Sequence, residues 1–453
     1  MNYKREITKN GLILSLSGLT LLLMAVYFLL KIVYFLNKSI NEYMFIIIPF
    51  MAIITIFCYI FIIDRIAKLL YRKQINTPNY YLYNVIMAVG SAMAGSSKII
   101  VTGCDVTKID SPYLLLSNHP SFYDFKYINK IDPQRHKVFI LNRHYFGLKF
   151  IGSWGYKCGF IPKKIFSSDY DTIKLSFKMR DKGFPIVMFP EGRMSSDGTI
   201  NSINPRVADL ALKLKMPVVL VKIRNAYLVK PKWRSKVFNN TVNVDVRKII
   251  TADELNYYSA NSLFEEIKNE LSFNDFTQNV MFKNNQRAKN LDGVLYMCPQ
   301  CKAMFSTKSN NNNLKCCICG KIYFVNKNYS FDDEKINNIH TYYSAIKDYE
   351  KQCLTDINVS VNVNVKIFNT NNNHYHNENG IFTLTDRGVS YFKDGKQVFF
   401  YSIDSLEGIA YSVNEEFELY HNSRLYYFYP EGDKRICTRL ALIYDLLKEK
   451  NNG

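Results

Sequence analysis

The sequence is short of acidic residues for its length. Its 453 residues contain 39 Asp and Glu against 58 Lys and Arg, which gives a formal net charge of +19 at pH 7. The imbalance lies in residues 65–248, where 31 basic side chains face 11 acidic ones. Such a local surplus attracts anionic partners, such as phospholipid surfaces, phosphate-bearing substrates or acidic carrier proteins. A cationic surface that only keeps the protein soluble is the alternative.

The sequence also lacks the cysteine pattern of a secreted, disulfide-stabilised protein. Of its ten cysteines, five lie between Cys298 and Cys319 and the others are scattered. This distribution excludes a disulfide framework and indicates a reducing compartment. The first apolar segment has no small-residue cleavage site, which argues against a secretory signal peptide.

Two long apolar runs lie near the start of the chain. Residues 11–30 and 44–63 carry no charged side chain, and each run is long enough to cross a bilayer as a helix. Basic residues flank the pair on both outer sides, which predicts a two-helix transmembrane hairpin over residues 1–70 with both ends in the cytoplasm. In the alternative, one or both runs are buried helices or lie flat on a membrane. We therefore expect an integral membrane protein bound to a phospholipid membrane.

Short apolar runs alternate with helix-like stretches in the part that follows. The runs cover residues 113–116, 137–141, 186–189, 218–221 and 241–246. Alternation of this kind predicts an α/β domain with a mainly parallel sheet, here over residues 71–290. In such sheets, functional sites collect at the carboxyl ends of the strands.

A polar stretch with a histidine and an aspartate follows the first of these runs, at residues 118–124 (Asn-His-Pro-Ser-Phe-Tyr-Asp). His119 can act as a general base near neutral pH if Asp124 accepts a hydrogen bond from its other ring nitrogen. Ser121 and Asp124 also have the spacing of a capping box at a helix start. The two roles are compatible, because such a helix start would orient Asp124 beside His119.

A second polar stretch follows the run that ends at residue 188, at residues 189–193 (Phe-Pro-Glu-Gly-Arg). Gly192 lets the backbone approach a ligand closely, and the planar fork of Arg193 suits a phosphate group. The alternative is a turn in which Glu191 and Arg193 form an ordinary surface salt bridge.

Taken together, the two stretches resemble the NHxxxxD and FPEG(T/S/R) blocks of the glycerolipid acyltransferases, the family of 1-acyl-glycerol-3-phosphate acyltransferase. The resemblance covers about residues 100–231 and implies that His119 and Asp124 are catalytic. A block that carries an arginine in the family corresponds to residues 159–165, which hold Lys163 and Lys164 instead. The implied substrate-binding residues are Asn118, Ser121, Lys163, Lys164, Glu191, Gly192 and Arg193.

The resemblance implies an O-acyltransferase that moves an acyl chain from acyl-CoA or an acyl carrier protein to lysophosphatidic acid, giving phosphatidic acid. The catalytic domain would face the cytoplasm. We assign no Ser or Cys nucleophile in either stretch and expect direct transfer with His119 as the base. One alternative is a different acceptor, such as glycerol 3-phosphate, another lysophospholipid or a glycolipid. The other is a catalytically idle membrane adaptor that recruits partners through its later domains.

Two Cys-x2-Cys pairs in residues 291–326 predict a small zinc ribbon. Cys298, Cys301, Cys316 and Cys319 can offer four thiolates tetrahedrally to a structural Zn²⁺, and Cys317 could replace Cys316 as a ligand. The segment lacks the interleaved aromatic and basic residues of a strand-binding surface, so we expect no nucleic-acid partner.

The remaining residues predict a helical linker over 327–356, with its helix at 332–353, and a β-rich domain over 357–453. Apolar residues alternate with polar ones from 357 to 367, and turn-forming residues at 379–380, 386–388 and 394–395 separate further strands. An amphipathic helix at 435–450 closes the chain. The pattern resembles a pleckstrin-homology or GRAM-type domain, and we expect the asparagine-rich residues 369–379 to form a disordered loop.

Overall fold

The computed structural model describes residues 78–147, 151–166, 169–277, 279–369, 374–422 and 424–452. The chain divides into two units, residues 1–85 and 86–453. Helix α1 (Tyr80–Met93) crosses this division, and the other described elements belong to the second unit. The finer domain boundaries expected from the sequence stay predictions.

The prediction of an integral membrane protein needs correction. Within the described ranges, no helix is both long enough and apolar enough to cross a membrane. The predicted fold class with a transmembrane hairpin, and the localisation derived from it, are therefore wrong for this part of the protein. Residues 11–30 and 44–63, on which the hairpin prediction rested, lie outside the described residues.

A seven-stranded sheet forms the α/β part of the chain. Its strands pair in the order β1-β7-β6-β2-β5-β3-β4. Neighbouring strands are parallel except β6 and β7, which are antiparallel. The strands are β1 (Ile99–Gly103), β2 (Leu114–Ser117), β3 (Val138–Asn142), β4 (Ile161–Lys163), β5 (Ile186–Met188), β6 (Val218–Arg224) and β7 (Val242–Ile250).

Helices pack against this sheet and bury its apolar side chains. The core joins strand residues such as Leu116 and Leu220 to helix residues such as Ala211 and Ile267. Burial on both faces explains the continuous apolar runs at residues 114–116 of β2, 186–188 of β5 and 218–221 of β6. The helices are α2 (Asp124–Asn129), α3 (His144–Gly147), α4 (Ile151–Lys157), α5 (Tyr170–Asp181), α6 (Arg206–Leu214) and α7 (Ala260–Leu271), with 3₁₀ turns at Val106–Lys108 and Glu254–Tyr257.

A small antiparallel sheet follows, in the order β10-β9-β8. Its strands are β8 (Thr307–Asn310), β9 (Asn313–Cys316) and β10 (Ile322–Phe324), after a 3₁₀ turn at Leu291–Gly293. Asn311, between β8 and β9, has φ of 44°, a left-handed conformation that asparagine tolerates in tight turns.

Helix α8 (Ile339–Gln352) begins later than the sequence pattern indicated. The Asn338 side chain accepts a hydrogen bond from Thr341 N, and the Thr341 hydroxyl accepts one from Asn338 N, which completes a capping box. This cap fixes the helix start at residue 339, so the predicted start at residue 332 was seven residues too early.

The last part is a seven-stranded antiparallel sheet in the order β14-β13-β12-β11-β17-β16-β15, followed by helix α9 (Ile436–Asn452). Val363, Val365 and Ile367 of β11 are buried on one face, as their alternation predicts. The strands are β11 (Asn358–Asn369), β12 (His374–Thr385), β13 (Gly388–Lys393), β14 (Lys396–Ser402), β15 (Ala410–Tyr411), β16 (Phe417–His421) and β17 (Arg424–Pro430), with a 3₁₀ turn at Ile403–Ser405.

The predicted turn at Asn379 and Gly380 is wrong. Both residues lie within β12, paired with Asn364 and Val363 of β11. A Cβ atom at Gly380 would lie 2.3 Å from the carbonyl oxygen of Phe392. The glycine is therefore explained by close approach of a neighbouring backbone rather than by a turn. The predicted asparagine-rich loop also overlaps β12, and only residues 370–373 of it lie outside the described residues.

A buried carboxylate joins the helices of the later segments. Glu350 of α8 is fully buried, and its Oε1 accepts hydrogen bonds from Tyr296 Oη at 3.1 Å and from Arg439 Nε at 2.8 Å. Arg439 Nη2 donates to Oε2 at 3.3 Å. The segment before β8, helix α8 and helix α9 thus share one network.

We expect Glu350→Gln to lower the free energy of unfolding by about 3 kcal/mol, because it leaves the half-buried guanidinium of Arg439 without its counter-charge. Urea denaturation followed by circular dichroism measures this. The control is Glu449→Gln, which removes an exposed carboxylate 3.0 Å from Lys347 Nζ and should cost less than about 1 kcal/mol. Equal losses in both variants would contradict a stabilising role for the Glu350 network.

Candidate active site

Two loops from neighbouring strands meet at one edge of the α/β sheet. Strands β2 and β5 are parallel and in register, with Leu116 opposite Met188. The polar stretches 118–124 and 189–193 therefore leave the sheet side by side. This is the carboxyl edge, where sites in such sheets are expected.

His119 and Asp124 are in direct contact. His119 Nδ1 lies 2.8 Å from Asp124 Oδ2, which also accepts a hydrogen bond from Ser121 N at 3.0 Å. Helix α2 begins at Asp124, so the carboxylate both binds the loop backbone at a helix start and orients the imidazole. Only half of the predicted capping box forms, because Tyr123 is the N-cap residue and Ser121 Oγ donates to Lys230 O instead of accepting from Asp124 N.

The environment of the pair suits proton transfer. Asp124 is fully buried, and burial raises the pKa of its carboxyl while the hydrogen bonds from His119 and Ser121 lower it. The His119 side chain keeps 22% of its surface exposed, and Phe189 stacks on its ring with a centroid distance of 4.4 Å. Because Nδ1 is bound to Asp124, Nε2 is the ring nitrogen left to receive a proton.

Glu191 connects the two loops. Its Oε1 accepts a hydrogen bond from His119 N at 2.6 Å, and its Oε2 accepts from Asn201 N at 2.7 Å and Asn201 Nδ2 at 2.8 Å. Burial raises the pKa of Glu191 to about 7, although these donors favour the ionised form. Ser195 N also donates to His119 O at 3.0 Å, so the backbone of His119 is held on both sides by the second loop.

Gly192 adopts a conformation that other residues rarely take. Its φ is 70°, and its N–H closes the turn by donating to Phe189 O at 3.1 Å. A Cβ atom here would lie 3.3 Å from the ring of Phe166, which is tight. The glycine therefore allows the turn that aims Glu191 at the first loop.

Asn118 and Ser121 bind the protein backbone. Asn118 is fully buried, donates from Nδ2 to Ile223 O at 2.8 Å and accepts from Ile223 N at 2.7 Å through Oδ1. Ser121 Oγ donates to Lys230 O at 3.1 Å. These contacts fix the first loop to β6 and to the segment after it.

The two predicted lysines and Arg193 lie at or beyond the ends of different strands of the sheet. Lys163 ends β4, two strands from β5, and its carbonyl accepts from Arg143 N at 2.8 Å. Lys164 N donates to Asp169 Oδ2 at 2.8 Å. Both lysines are half-buried at the carboxyl end of β4. Arg193, by contrast, lies two residues after Glu191 and forms an ion pair with Asp445 of α9.

Sequence reasoning did not identify three contributors to the site. Phe189 stacks on His119, Asn201 binds Glu191, and Asp275 accepts hydrogen bonds from the backbone after β6. Burial raises the pKa of Asp275 to about 7. Phe189 lies in the second motif and could have been considered. Asn201 and Asp275 belong to no motif, and their partners are distant or are backbone groups.

The four cysteines predicted to bind metal lie together near the small sheet. Their Sγ atoms are all within 4.8 Å of one another, with 3.7 Å between Cys298 and Cys319 and 3.6 Å between Cys301 and Cys316. Cys317 is exposed and lies outside this group. The cluster could hold a metal ion, with Cys316 as the ligand from its pair.

Comparison with known proteins agrees with this geometry. Residues 98–224 match the family model described as Acyltransferase. The chain is 29% identical over 143 residues to 1-acyl-sn-glycerol-3-phosphate acyltransferase BAT2, chloroplastic, from Brassica napus, which covers 31% of this chain and 40% of that protein. It is 27% identical over 157 residues to LPAT1, chloroplastic, from Arabidopsis thaliana, covering 34% and 44%.

Among solved structures, the 1-acyl-sn-glycerophosphate (LPA) acyltransferase PlsC from Thermotoga maritima aligns with a TM-score of 0.37 and 18% identity, over 42% of this chain and 77% of that one. The chain spans less than half the length of the plant relatives it matches. Residues 98–224, within the α/β part, are thus similar to acyltransferases.

We expect Glu191→Gln to lower the kcat of acyl transfer about ten- to a hundredfold and to leave the acceptor KM near its original value. The substitution puts an amide N–H where a carboxylate oxygen now accepts from His119 or Asn201, which displaces the base. Steady-state kinetics with varied acceptor separates the two parameters.

The matched control for this variant is Glu254→Gln. In the unmodified protein, the Glu254 carboxylate accepts a hydrogen bond from Thr251 N at 2.7 Å. This exposed turn is distant in sequence from both loops. Glu254→Gln should leave both parameters unchanged. A tenfold rise in KM at constant kcat for Glu191→Gln would instead make Glu191 a substrate ligand, as the family resemblance implied.

Proposed function

We propose that this chain transfers an acyl group from acyl-CoA or an acyl carrier protein to the free hydroxyl of lysophosphatidic acid, giving phosphatidic acid. The observation that carries the proposal is the contact of His119 with Asp124, 2.8 Å apart, in a loop bound to the second motif through Glu191. The match to the acyltransferase family supports the same reaction class. The acceptor is inferred from the plant relatives, which are 1-acyl-sn-glycerol-3-phosphate acyltransferases.

The reaction follows from the orientation of the imidazole. The Nδ1–H group donates a hydrogen bond to Asp124 Oδ2, so Nε2 is free to take the proton of the acceptor hydroxyl. The hydroxyl oxygen attacks the thioester carbonyl, the carbon–sulfur bond breaks, and the proton passes from His119 to the departing thiolate. The buried carboxylate of Asp124 stabilises the imidazolium that exists between these two proton transfers.

The surroundings of His119 keep it in position for this chemistry. Phe189 packs against the face of the ring, and Glu191 and Ser195 hold the backbone of the same residue. A base fixed in this way does not need to be ordered during the reaction, which lowers the barrier. The acceptor phosphate would bind to basic side chains on the carboxyl edge, for which Arg193, Lys163 and Lys164 are candidates.

We propose Zn²⁺ as the metal of the cysteine cluster. Four thiolates at these separations match the tetrahedral sites of structural zinc, which leave no open position for a substrate. Cys298, Cys301, Cys316 and Cys319 would hold the ion. It would stabilise the small sheet and take no part in acyl transfer.

The test of the activity uses the full chain in detergent micelles with labelled acyl-CoA or acyl carrier protein thioester and lysophosphatidic acid. We expect His119→Ala and Asp124→Asn to lower the rate of phosphatidic acid formation on the order of 10²- to 10⁴-fold. The control is His376→Ala, which breaks another histidine–carboxylate contact, 3.0 Å from Glu378 in the C-terminal sheet, and should retain full activity. Undiminished product with His119→Ala would refute the mechanism, and product only with another acceptor would change the substrate.

Metal content gives a separate prediction. We expect the purified protein to contain about one zinc ion per chain by elemental analysis, and Cys301→Ser to lose it together with several degrees of thermal stability, because three thiolates hold zinc less tightly than four. Cys317→Ser is the matched control and should retain the ion, since Cys317 lies outside the cluster. If Cys317→Ser loses zinc, Cys317 and not Cys316 is the ligand from this pair.

A further inference from the structure

Arg193, the last residue of the second motif, is held by the C-terminal part of the chain. Its Nη2 binds the Oδ2 atom of Asp445 in α9, and its Nη1 donates to Ile409 O at 3.3 Å. The guanidinium also lies over the ring of Phe166, 5.6 Å from the centroid. Only 13% of the Arg193 side chain is exposed, so its fork is occupied in this structure.

A second cation lies in the same region without a counter-charge. The Nζ atom of Lys232 is buried and has no hydrogen-bond partner among the described residues. It sits over the ring of Tyr411, 3.6 Å from the centroid. Burial, and secondarily the charge of Arg193, lower the pKa of Lys232 well below its ordinary value. A buried Nζ atom without an acceptor indicates a position that an anion would fill, and a bound anion would favour the charged form of the amine.

Both cations belong to segments that contact the loop of His119. Arg193 lies two residues before Ser195, whose N–H donates to His119 O at 3.0 Å. Lys232 lies two residues after Lys230, whose carbonyl accepts from Ser121 Oγ at 3.1 Å. An anion between Arg193 and Lys232 would therefore lie between two segments that bind the loop of His119.

The charges in this region fit a phosphate better than a carboxylate. Arg193 is paired with Asp445 and the Nζ atom of Lys232 has no carboxylate partner, whereas a phosphate monoester carries up to two negative charges. Its oxygens suit both the planar fork of arginine and the point charge of lysine. Asp445 thus occupies one half of a site that a phosphate could fill completely.

We propose that Arg193 and Lys232 bind the phosphate of the acceptor, and that Asp445 occupies the guanidinium of Arg193 until this phosphate displaces it. The inference rests on the proposed function, since it assigns a site to that acceptor. It adds Lys232 as a phosphate ligand and makes helix α9 a competitor of the substrate. The apparent affinity for the acceptor is then reduced by the fraction of molecules in which Asp445 is bound.

The first experiment measures KM for lysophosphatidic acid at saturating acyl donor. We expect Asp445→Asn to lower KM about three- to tenfold with kcat unchanged or higher, because the competing charge is removed. Lys232→Met, which keeps the length of the side chain, should raise KM about tenfold or more. Asp445→Glu retains a carboxylate and should stay within about twofold of the original protein.

Glu407→Gln is the matched control for Asp445→Asn. Glu407 also lies in the C-terminal part and pairs with an arginine of the α/β part, Arg206, at 3.2 Å, but it does not pair with Arg193. It should leave KM unchanged. An equal fall in KM for both variants would show that weaker contact between the α/β part and the C-terminal part is responsible. It would overturn the proposal that Asp445 competes with the acceptor phosphate for Arg193.

Direct binding separates this inference from the proposed activity. Equilibrium dialysis with labelled lysophosphatidic acid, in a His119→Ala background, should show tighter binding for Asp445→Asn and weaker binding for Lys232→Met. Monoacylglycerol, which lacks the phosphate, should bind all variants alike. If no protein transfers acyl groups but the two substitutions change lysophosphatidic acid binding as expected, the proposed activity is wrong and the proposed phosphate site is supported. If transfer occurs and neither variant shifts KM or binding, the phosphate site is overturned.

Discussion

The buried carboxylate of Glu191 is the interaction on which the rest of the site depends. Strands β2 and β5 bring two loops to one edge of the sheet, but adjacency alone does not fix their backbones. Glu191 does so by accepting from His119 N at 2.6 Å while Asn201 binds its second oxygen. The imidazole can then meet Asp124 and the ring of Phe189 in one orientation. A residue that resembles a substrate ligand in the sequence is, in the structure, bonded on both oxygens to the protein itself.

Much of the α/β part could be predicted because its physical causes are local. Buried parallel strands appear as apolar runs, and His119 and Asp124 lie in one short loop, where a helix start places them together. The contact of Glu191 with His119 could not be predicted in the same way, because the partner is a backbone N–H that any residue would offer. Arg193 and Asp445 are 252 residues apart, and only the tertiary fold relates them. Gly380 was wrongly predicted to form a turn. The sequence does not distinguish a glycine that a turn requires from one that the close approach of a neighbouring carbonyl requires.

The fold brings the basic part of the sequence into contact with acidic residues of the C-terminal part. The basic surplus lies in the α/β part, and several of its polar contacts with the C-terminal part use acidic residues of the latter. Asp445 binds Arg193, Glu407 binds Arg206, and Glu418 accepts from Asn142 Nδ2 at 3.1 Å. These carboxylates approach the edge of the sheet where an anionic substrate is expected. Electrostatic attraction therefore favours both the docking of the C-terminal part and the binding of a phosphate. The carboxylates and the phosphate would bind the same basic residues of the α/β part.

Helix α9 is unusual in the number of different segments that it holds. Arg435, just before it, donates to Thr307 O at 2.6 Å in β8, Arg439 binds Glu350 of α8, Asp445 binds Arg193, and Glu449 binds Lys347. It also follows every other described element along the chain. During synthesis on a ribosome, the α/β sheet and the small sheet can thus fold before any of these four contacts exists. The nascent protein would pass through a stage in which the loops that carry His119 and Glu191 are complete and the guanidinium of Arg193 is still uncovered.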